Sequence, residues 1–283
     1  MGEFFMKKTL LGVSLLSTAV LAACGSDSES GGGSGEETQT LTVGATSVPH
    51  AEILEFAEDQ LAEENVELEI ETFNDYIVPN EALASEEIDA NYFQHIPYLE
   101  DQMEENDNFN FVNMGGIHIE PIGVYSQEYD SLDALPDGAE IIMSNSVADH
   151  GRILQMLEQE DVLTLEEGVG VEATVDDIAE NPKNLQFQAD IDAATLPQVY
   201  NNGEGDAVFI NSNYAIDADL NPQEDAIALE SPEDNPYVNV IAAREEDEDN
   251  ETIQTLVDVL QSDETQEFIE EEYDGAVIPA EQE

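Results

Sequence analysis

The sequence predicts an α/β fold with mainly parallel sheets. Short β-like runs alternate with acid-rich segments whose apolar residues recur at helical spacing, from residue 41 to the C-terminus. At 283 residues and 41% hydrophobic, the chain can bury a sizeable core. No fixed-period repeat interrupts the alternation.

Element by element, "LTVGAT" (41–46) reads as a strand. "PHAEILEFAEDQLAEEN" reads as an amphipathic helix, with Leu54, Ala57 and Leu61 on one face and acids opposite. "VELEIETF" (66–73) alternates as a strand does. "VPNEALASEE" (78–87) is a short helix, "IDANYF" a strand, "IPYLEDQMEEN" a helix and "FNFVNMGG" a strand. Beyond residue 124, "AEIIMS" (139–144), "NLQFQAD", "DAVFINS" and "YVNVIAAR" (237–244) are strand-like. "GRILQMLEQED" and "ETIQTLVDVLQS" are helical, the latter with Ile253, Leu256, Val257 and Leu260 on one face.

The N-terminus has a different character. Lys7 and Lys8 precede the apolar run "TLLGVSLLSTAVLAAC", a charged n-region followed by a short h-region. The run is too short for a membrane span. It predicts a signal peptide over residues 1–23, with Met6 as the more natural start. Cys24, the single cysteine, ends "LAAC" and is followed by Gly25, which resembles a bacterial lipobox. Lipidation of Cys24 would anchor the chain to a bilayer, and several acyl chains hold where one is marginal. The Gly, Ser and acidic residues that follow read as a flexible tether, giving a segment 24–40 between anchor and body.

The charge is extreme: 67 Asp and Glu against 5 Lys and Arg, a formal −62. That excludes nucleic acid as a partner, since phosphate binding needs clustered cations. The acids lie between regular apolar positions, so they predict a solvated surface suited to concentrated salt, a halophilic pattern. Beyond the signal only Arg152, Lys183 and Arg244 remain as cations, and each needs a specific explanation.

Enzyme signatures are sparse. No nucleophile elbow or phosphate-binding Gly-rich loop is present, and His50, His95, His118 and His150 have no metal-ligand spacing. These readings predict no cofactor, no metal and no catalytic residue. A carboxylate pair of an acidic secreted hydrolase remains the alternative, as does a surface lipoprotein that has lost its ligand.

"DANYFQHIPYLE" (89–100) concentrates Tyr92, Phe93, His95 and Tyr98. Aromatics with one polar tip commonly line small-molecule pockets. Strand alternation points Phe93 one way and Tyr92 the other, into the core. Arg152 follows "NSVADHG" at a strand-to-helix transition, where free amides and a bidentate guanidinium suit a carboxylate; a structural ion pair is the competing explanation. Asn211 in "FINSNYA" and Asn239 in "NPYVNVIA" can grip an ammonium or carboxylate, or merely cap turns.

Together, "VGATSVPHAEILEF", "NDYIVPNEAL", "DANYFQHIPYLED", "IHIEPIGVYS", "NPKNLQF" and "NPYVNVIAAR" resemble the methionine-binding lipoproteins of ABC importers, from Leu41 to "FIEEEYDGAVIPA". The resemblance implies a two-lobed, periplasmic-binding-protein-like fold of type II character. Two crossover strands, near residues 120–126 and 235–241, would join lobe 1 (41–122 plus 239–283) to lobe 2 (123–238). It implies that Tyr76, Phe93, His95 and Tyr98 line a side-chain pocket, that Arg152 binds the ligand carboxylate, and that Asn211 and Asn239 hold the amino-acid backbone. The implied ligand is methionine of either hand or a small methionine-containing peptide. The implied partners are a membrane ABC permease and its ATPase. One departure stands out. Where the family commonly has "PNDPxNxGR", this chain has "SNSVADHGR", which puts Asp149 and His150 beside Arg152. Asp149 would either draw Arg152 away or accept a ligand ammonium.

Overall fold

A computed structural model describes residues 38–280; the signal peptide, Cys24 and nearly all of the tether lie outside the described residues. The first strand, β1 (Gln39–Thr46), begins two positions before the sequence pattern suggests and pairs in parallel with β2 (Val66–Phe73). Between them an irregular turn at 47–51 with a cis Val48–Pro49 bond leads into α1 (Glu52–Glu63). Then come α2 (Val78–Ala84), β3 (Ala90–His95), α3 (Ile96–Glu105) and β4 (Phe111–Ile119). The chain next builds a second layer: β5 (Gly123–Tyr125), β6 (Glu140–Ser144), α4 (Val147–Gln159), a hairpin-like pair β7 (Thr164–Leu165) and β8 (Ile178–Glu180), and β9 (Gln186–Ile191). It continues through α5 (Leu196–Asn201), β10 (Ala207–Ile210), α6 (Ser212–Asp217), α7 (Pro222–Asp225) and β11 (Ala228–Leu229). The return comprises β12 (Val238–Arg244), α8 (Glu251–Leu260), α9 (Asp263–Tyr273) and β13 (Ile278–Pro279).

Two main sheets result. One has the order β13-β4-β12-β3-β1-β2, the other β11-β5-β10-β6-β9. The fold is therefore α/β and two-lobed. The sheets are mixed, which corrects the expectation of mainly parallel pairing. Among the described residues only β1–β2, β1–β3, β6–β9 and β6–β10 run parallel. β12 is antiparallel to both β3 and β4, and β5 is antiparallel to β10 and β11. The parallel pairs belong to strand–helix–strand repeats, which need a crossover. Strands β4, β5 and β12 flank the two passages between sheets, where no such constraint acts.

The predicted helical faces are the ones that pack. Leu54, Ala57 and Leu61 of α1, and Ile253, Leu256, Val257 and Leu260 of α8, are buried in one core with Leu41, Val43 and Tyr92. At ~25 cal/mol per Å² of apolar surface, each such aliphatic side chain contributes about 1.5–3 kcal/mol. The second sheet has its own core of Ile141, Met143, Ile153, Leu154, Leu157 and Phe209. α6 and α9 carry no clear apolar stripe and are absent from the sequence pattern. Asn211 opens the first, and Ser262 caps the second by accepting from the Thr265 amide. No helix of the described residues is long and apolar enough to cross a membrane.

The three described cations share one use. Arg152 Nη2 donates to the Glu120 carbonyl at 2.7 Å, and Lys183 Nζ to those of Leu132, Asp133 and Leu135. Arg244 Nη1 donates to the Leu83 and Ile88 carbonyls. Each holds backbone that the surrounding carboxylates have no donors to satisfy.

Candidate functional site

Three strand ends converge between the sheets. β3 ends at His95, β6 at Ser144 and β10 at Ile210, and helices α3, α4 and α6 start from them. Crevices outside the carboxyl ends of strands are the usual ligand position in α/β sheets. A small cavity of about 20 Å³ lies there. Tyr76, Phe93, His95, Tyr98, Arg152, Asn211 and Asn239, all seven residues singled out from the sequence, line it. Glu120, Asp149, Gln94, Ser212 and Asn213 line it too.

The aromatic wall is built by local rules. Asp75 accepts from the Ile77 and Val78 amides at 2.8 Å, turning the chain into α2 and placing Tyr76 over the cavity. The Tyr76 ring lies 6.0 Å from Phe93, 5.9 Å from Tyr98 and 4.9 Å from Tyr214. Tyr98 donates to the Tyr76 carbonyl, and Tyr76 donates to Asn213 Oδ1 across the cleft. Beneath them Asn80, Asn91 and Gln94 form a buried amide network that ties α2 to β3. Tyr92 points away as alternation requires, packs in the core and bonds His118 through a short contact.

His95 is oriented by its helix. Its Nδ1 accepts from the Tyr98 amide at 3.1 Å as the N-cap of α3, which leaves Nε2–H to donate to Asp149 Oδ1 at 3.1 Å. Asp149 also accepts from Asn211 Nδ2 at 3.1 Å and lies 3.6 Å from Arg152 Nη1. Burial alone would raise its pKa. The His95 hydrogen bond, then Arg152 and Asn211, outweigh burial and hold the carboxyl well below the usual range. Asn211 Oδ1 is buried with no partner.

Arg152 departs from its expected position. It sits in the second turn of α4, not at its N-terminus, so free helix amides do not flank it. Its Nε and Nη2 pair with the Glu230 carboxylate, the Nη2 contact being short, and its guanidinium lies 4.5 Å over the Tyr237 ring. The ion-pair explanation is therefore correct for one edge of the fork, and Glu230 rather than Asp149 is the main partner. Nη1 remains toward Asp149 and the cavity. Burial lowers the Arg152 pKa, but Glu230 and then Asp149 raise it beyond the usual range. Gly151 next to it is obligatory, since a Cβ there would stand 1.9 Å from the Val171 carbonyl oxygen.

Behind the cavity lies a second cluster that sequence spacing does not reveal. His118 Nε2 and His50 Nε2 lie 2.9 and 3.2 Å from Glu120 Oε1, and the Asn213 amide donates to Glu120 Oε2 at 3.0 Å. These three side chains place donor atoms within 4.8 Å of one another, as a metal would need. Each atom is already engaged in a protein hydrogen bond. Burial lowers His50 to about 4 and His118 to about 3, and it raises Glu120. "HIE" at 118–120 was the available signal, with His118 and Glu120 two apart along one extended stretch. His50 comes from a turn far away in sequence. Glu230 could not be picked out among so many acids.

A small cavity lined by aromatic rings together with Arg152, Asp149 and an unpaired amide oxygen offers complementary charges to a small zwitterion. The NlpA lipoprotein family model matches residues 41–281. The methionine-binding lipoprotein MetQ of Bacillus subtilis (strain 168) is 51% identical over 276 residues, covering 97% of this chain and 99% of that protein. The crystal structure of a putative methionine-binding lipoprotein from Bacillus subtilis superposes with a TM-score of 0.85 at 50% identity, over 86% of this chain and 99% of that one. A nutrient binding protein from Burkholderia cenocepacia bound to methionine superposes with a TM-score of 0.80 at 40% identity, over 85% of this chain and all of that one. The chain belongs to the NlpA lipoprotein family.

Proposed function

We propose that this protein is the extracytoplasmic substrate-binding lipoprotein of an ABC importer, and that it captures methionine, in L or D form, or a close relative. It then hands the ligand to a membrane permease driven by its ATPase, and it is not an enzyme. Cys24 carries the lipid anchor, and residues 24–40 tether the body to the bilayer. Residues 41–122 with 239–283, and 123–238, are the two bodies that close on the ligand about the crossovers.

The observation that carries this reading is the division of the cavity. Phe93, Tyr98 and Tyr76 offer ring edges to a thioether, worth about 0.3–1.5 kcal/mol per contact. The opposite wall takes the zwitterion. Arg152 Nη1 receives the carboxylate, and Asp149 with Asn211 Oδ1 receives the ammonium. Asn239 completes the backbone contacts. Similarity to the methionine-binding MetQ of Bacillus subtilis supports the ligand class.

Calorimetric titration in high salt tests it. Saturable heat is expected with L-methionine, D-methionine or glycyl-methionine, and no heat with all three overturns the ligand class. Arg152→Ala should weaken binding by about 3–5 kcal/mol, because a desolvated carboxylate loses its partner. Unchanged affinity removes Arg152 from the site.

A further inference from the structure

We propose that Glu120 is a positioning residue of this cavity: by accepting from His118 and the Asn213 amide, with its Oε1 held 3.2 Å from His50 Nε2, it fixes the His50 tautomer so that Asn239 turns its amide nitrogen to the ligand. The ligand part of this proposal rests on the reading above.

Glu120 lies on the passage between the sheets, just after β4 and before β5. Its neighbours come from both layers. His50 and His118 belong to the six-stranded side, Asn213 to α6 on the other, and its own carbonyl accepts from Arg152 of α4. The carboxylate itself is buried.

The hydrogen-bond polarity then follows in one direction. The Asn213 backbone N–H is a donor whatever else happens. An ionised carboxylate is acceptor-only, so His118 must present Nε2–H to Oε1. A bare His50 Nε2 lone pair facing both Oε1 at 3.2 Å and Asn239 Oδ1 would be repelled, so His50 also carries its proton on Nε2. Their Nδ1 atoms must accept, and each has a hydroxyl that can donate: Thr46 Oγ1 at 2.7 Å for His50, and the Tyr92 hydroxyl for His118. Hydroxyls serve either way, so they do not decide the tautomer; Glu120 does. His50 Nε2–H donates to Asn239 Oδ1 at 3.2 Å, with Glu120 Oε1 standing 3.2 Å from the same nitrogen. With its oxygen held inward, Asn239 has its NH₂ left for the cavity it lines.

Glu120→Gln keeps the shape and breaks this logic. The new amide must point its oxygen at the Asn213 N–H, which aims its NH₂ at the two histidines. They then switch to the Nδ1–H tautomer, and the hydroxyls of Thr46 and Tyr92 become acceptors. His50 Nε2 becomes an acceptor facing Asn239 Oδ1, so the Asn239 amide must flip and show the ligand an oxygen.

Two measurements at pH 8 in high salt decide the matter. Ring ¹⁵N spectra of the wild-type protein, which has only four histidines, should show Nε2–H tautomers for His50 and His118, without any ligand. Nδ1–H tautomers overturn the proposal. Titration of Glu120→Gln with L-methionine and D-methionine should show at least a tenfold loss relative to wild type, together with the tautomer switch. Affinity within twofold of wild type overturns it, as does stoichiometric zinc retained by the wild-type protein, which would make the three side chains ligands. A wild type that binds neither methionine sinks the ligand reading alone, because the tautomer result stands independently.

Discussion

Asp149 and Glu120 are two buried carboxylates on the lining of one cavity, and they titrate in opposite directions. Both are penalised by burial. Asp149 has His95, Asn211 and the Arg152 guanidinium around it, so its charged form is favoured. Glu120 has two imidazoles that burial keeps neutral, an amide N–H, and Arg152, which donates to its carbonyl and whose charge lowers its pKa less than burial raises it. Burial alone therefore does not set the outcome for both. The balance of opposing contacts does: at Asp149 the His95 hydrogen bond, then Arg152 and Asn211, outweigh burial, whereas at Glu120 burial outweighs its neighbours.

Acid should separate the two most strongly. A histidine whose folded pKa is depressed binds its proton in the unfolded chain first. The unfolded state then carries more protons, and stability falls as pH drops from about 6.5 toward about 4 for His50 and about 3 for His118. Each histidine steepens the fall by up to about 1.4 kcal/mol per pH unit. Together they reach a sizeable share of the ~5–15 kcal/mol that folds a domain. Glu120 acts with the opposite sign, because its raised pKa lets the folded state take a proton first, and it offsets part of the loss. Asp149 keeps its stabilising charge through this window and loses it only below the normal carboxylate range. Urea midpoints from pH 7.5 to 4.5 in molar salt, which screens the surface acids, should fall with pH. His118→Asn should flatten the slope, and an unchanged slope would remove the buried histidines as its cause.

Asp149→Asn comes next in size. It removes a charge that three donors share but leaves Arg152 neutralised by Glu230. The expected cost is about 3 kcal/mol, the low end for a broken buried pair. Denaturation in high salt measures it. A cost near zero would mean that Glu230 alone satisfies Arg152 and that Asp149 is a bystander.

The two clusters also differ in how far sequence could reach them. Phe93, His95, Tyr98, Arg152 and Asn211 were legible because strand and helix ends imposed local patterns: an aromatic clump before a Pro-containing helix start, a cation amid acids, an amide closing an apolar run. Asn239 was legible on the same ground as Asn211, Tyr76 came through the family resemblance, and the departure at Asp149 drew notice for that reason too. Glu120's partners did not. His50 and His118 are distant in sequence and meet only because β1, β3, β12 and β4 align side by side. Alternation placed the helices α1 and α8 correctly, since their apolar stripes are wide. It missed the antiparallel return of β12, because strand direction is a property of topology and leaves no trace in period-2 patterning. It also missed α6 and α9, whose stripes are interrupted by polar residues.

The smallest expected effects test the hydroxyls that support each carboxylate cluster. Thr46→Val keeps the shape but leaves His50 Nδ1 buried without its 2.7 Å donor, which should cost about 1–2 kcal/mol. Ser144→Ala removes a weak 3.5 Å contact to Asp149 Oδ2, which retains His95, Asn211 and Arg152, and should cost about 0.5 kcal/mol. The ordering matters more than either value. A neutral imidazole held by few donors depends on each of them, whereas an anion facing a cation and two further donors does not. If urea denaturation gave Ser144→Ala the larger cost, the Asp149 cluster would be the fragile one. The contrast between the two carboxylate clusters would then be wrong.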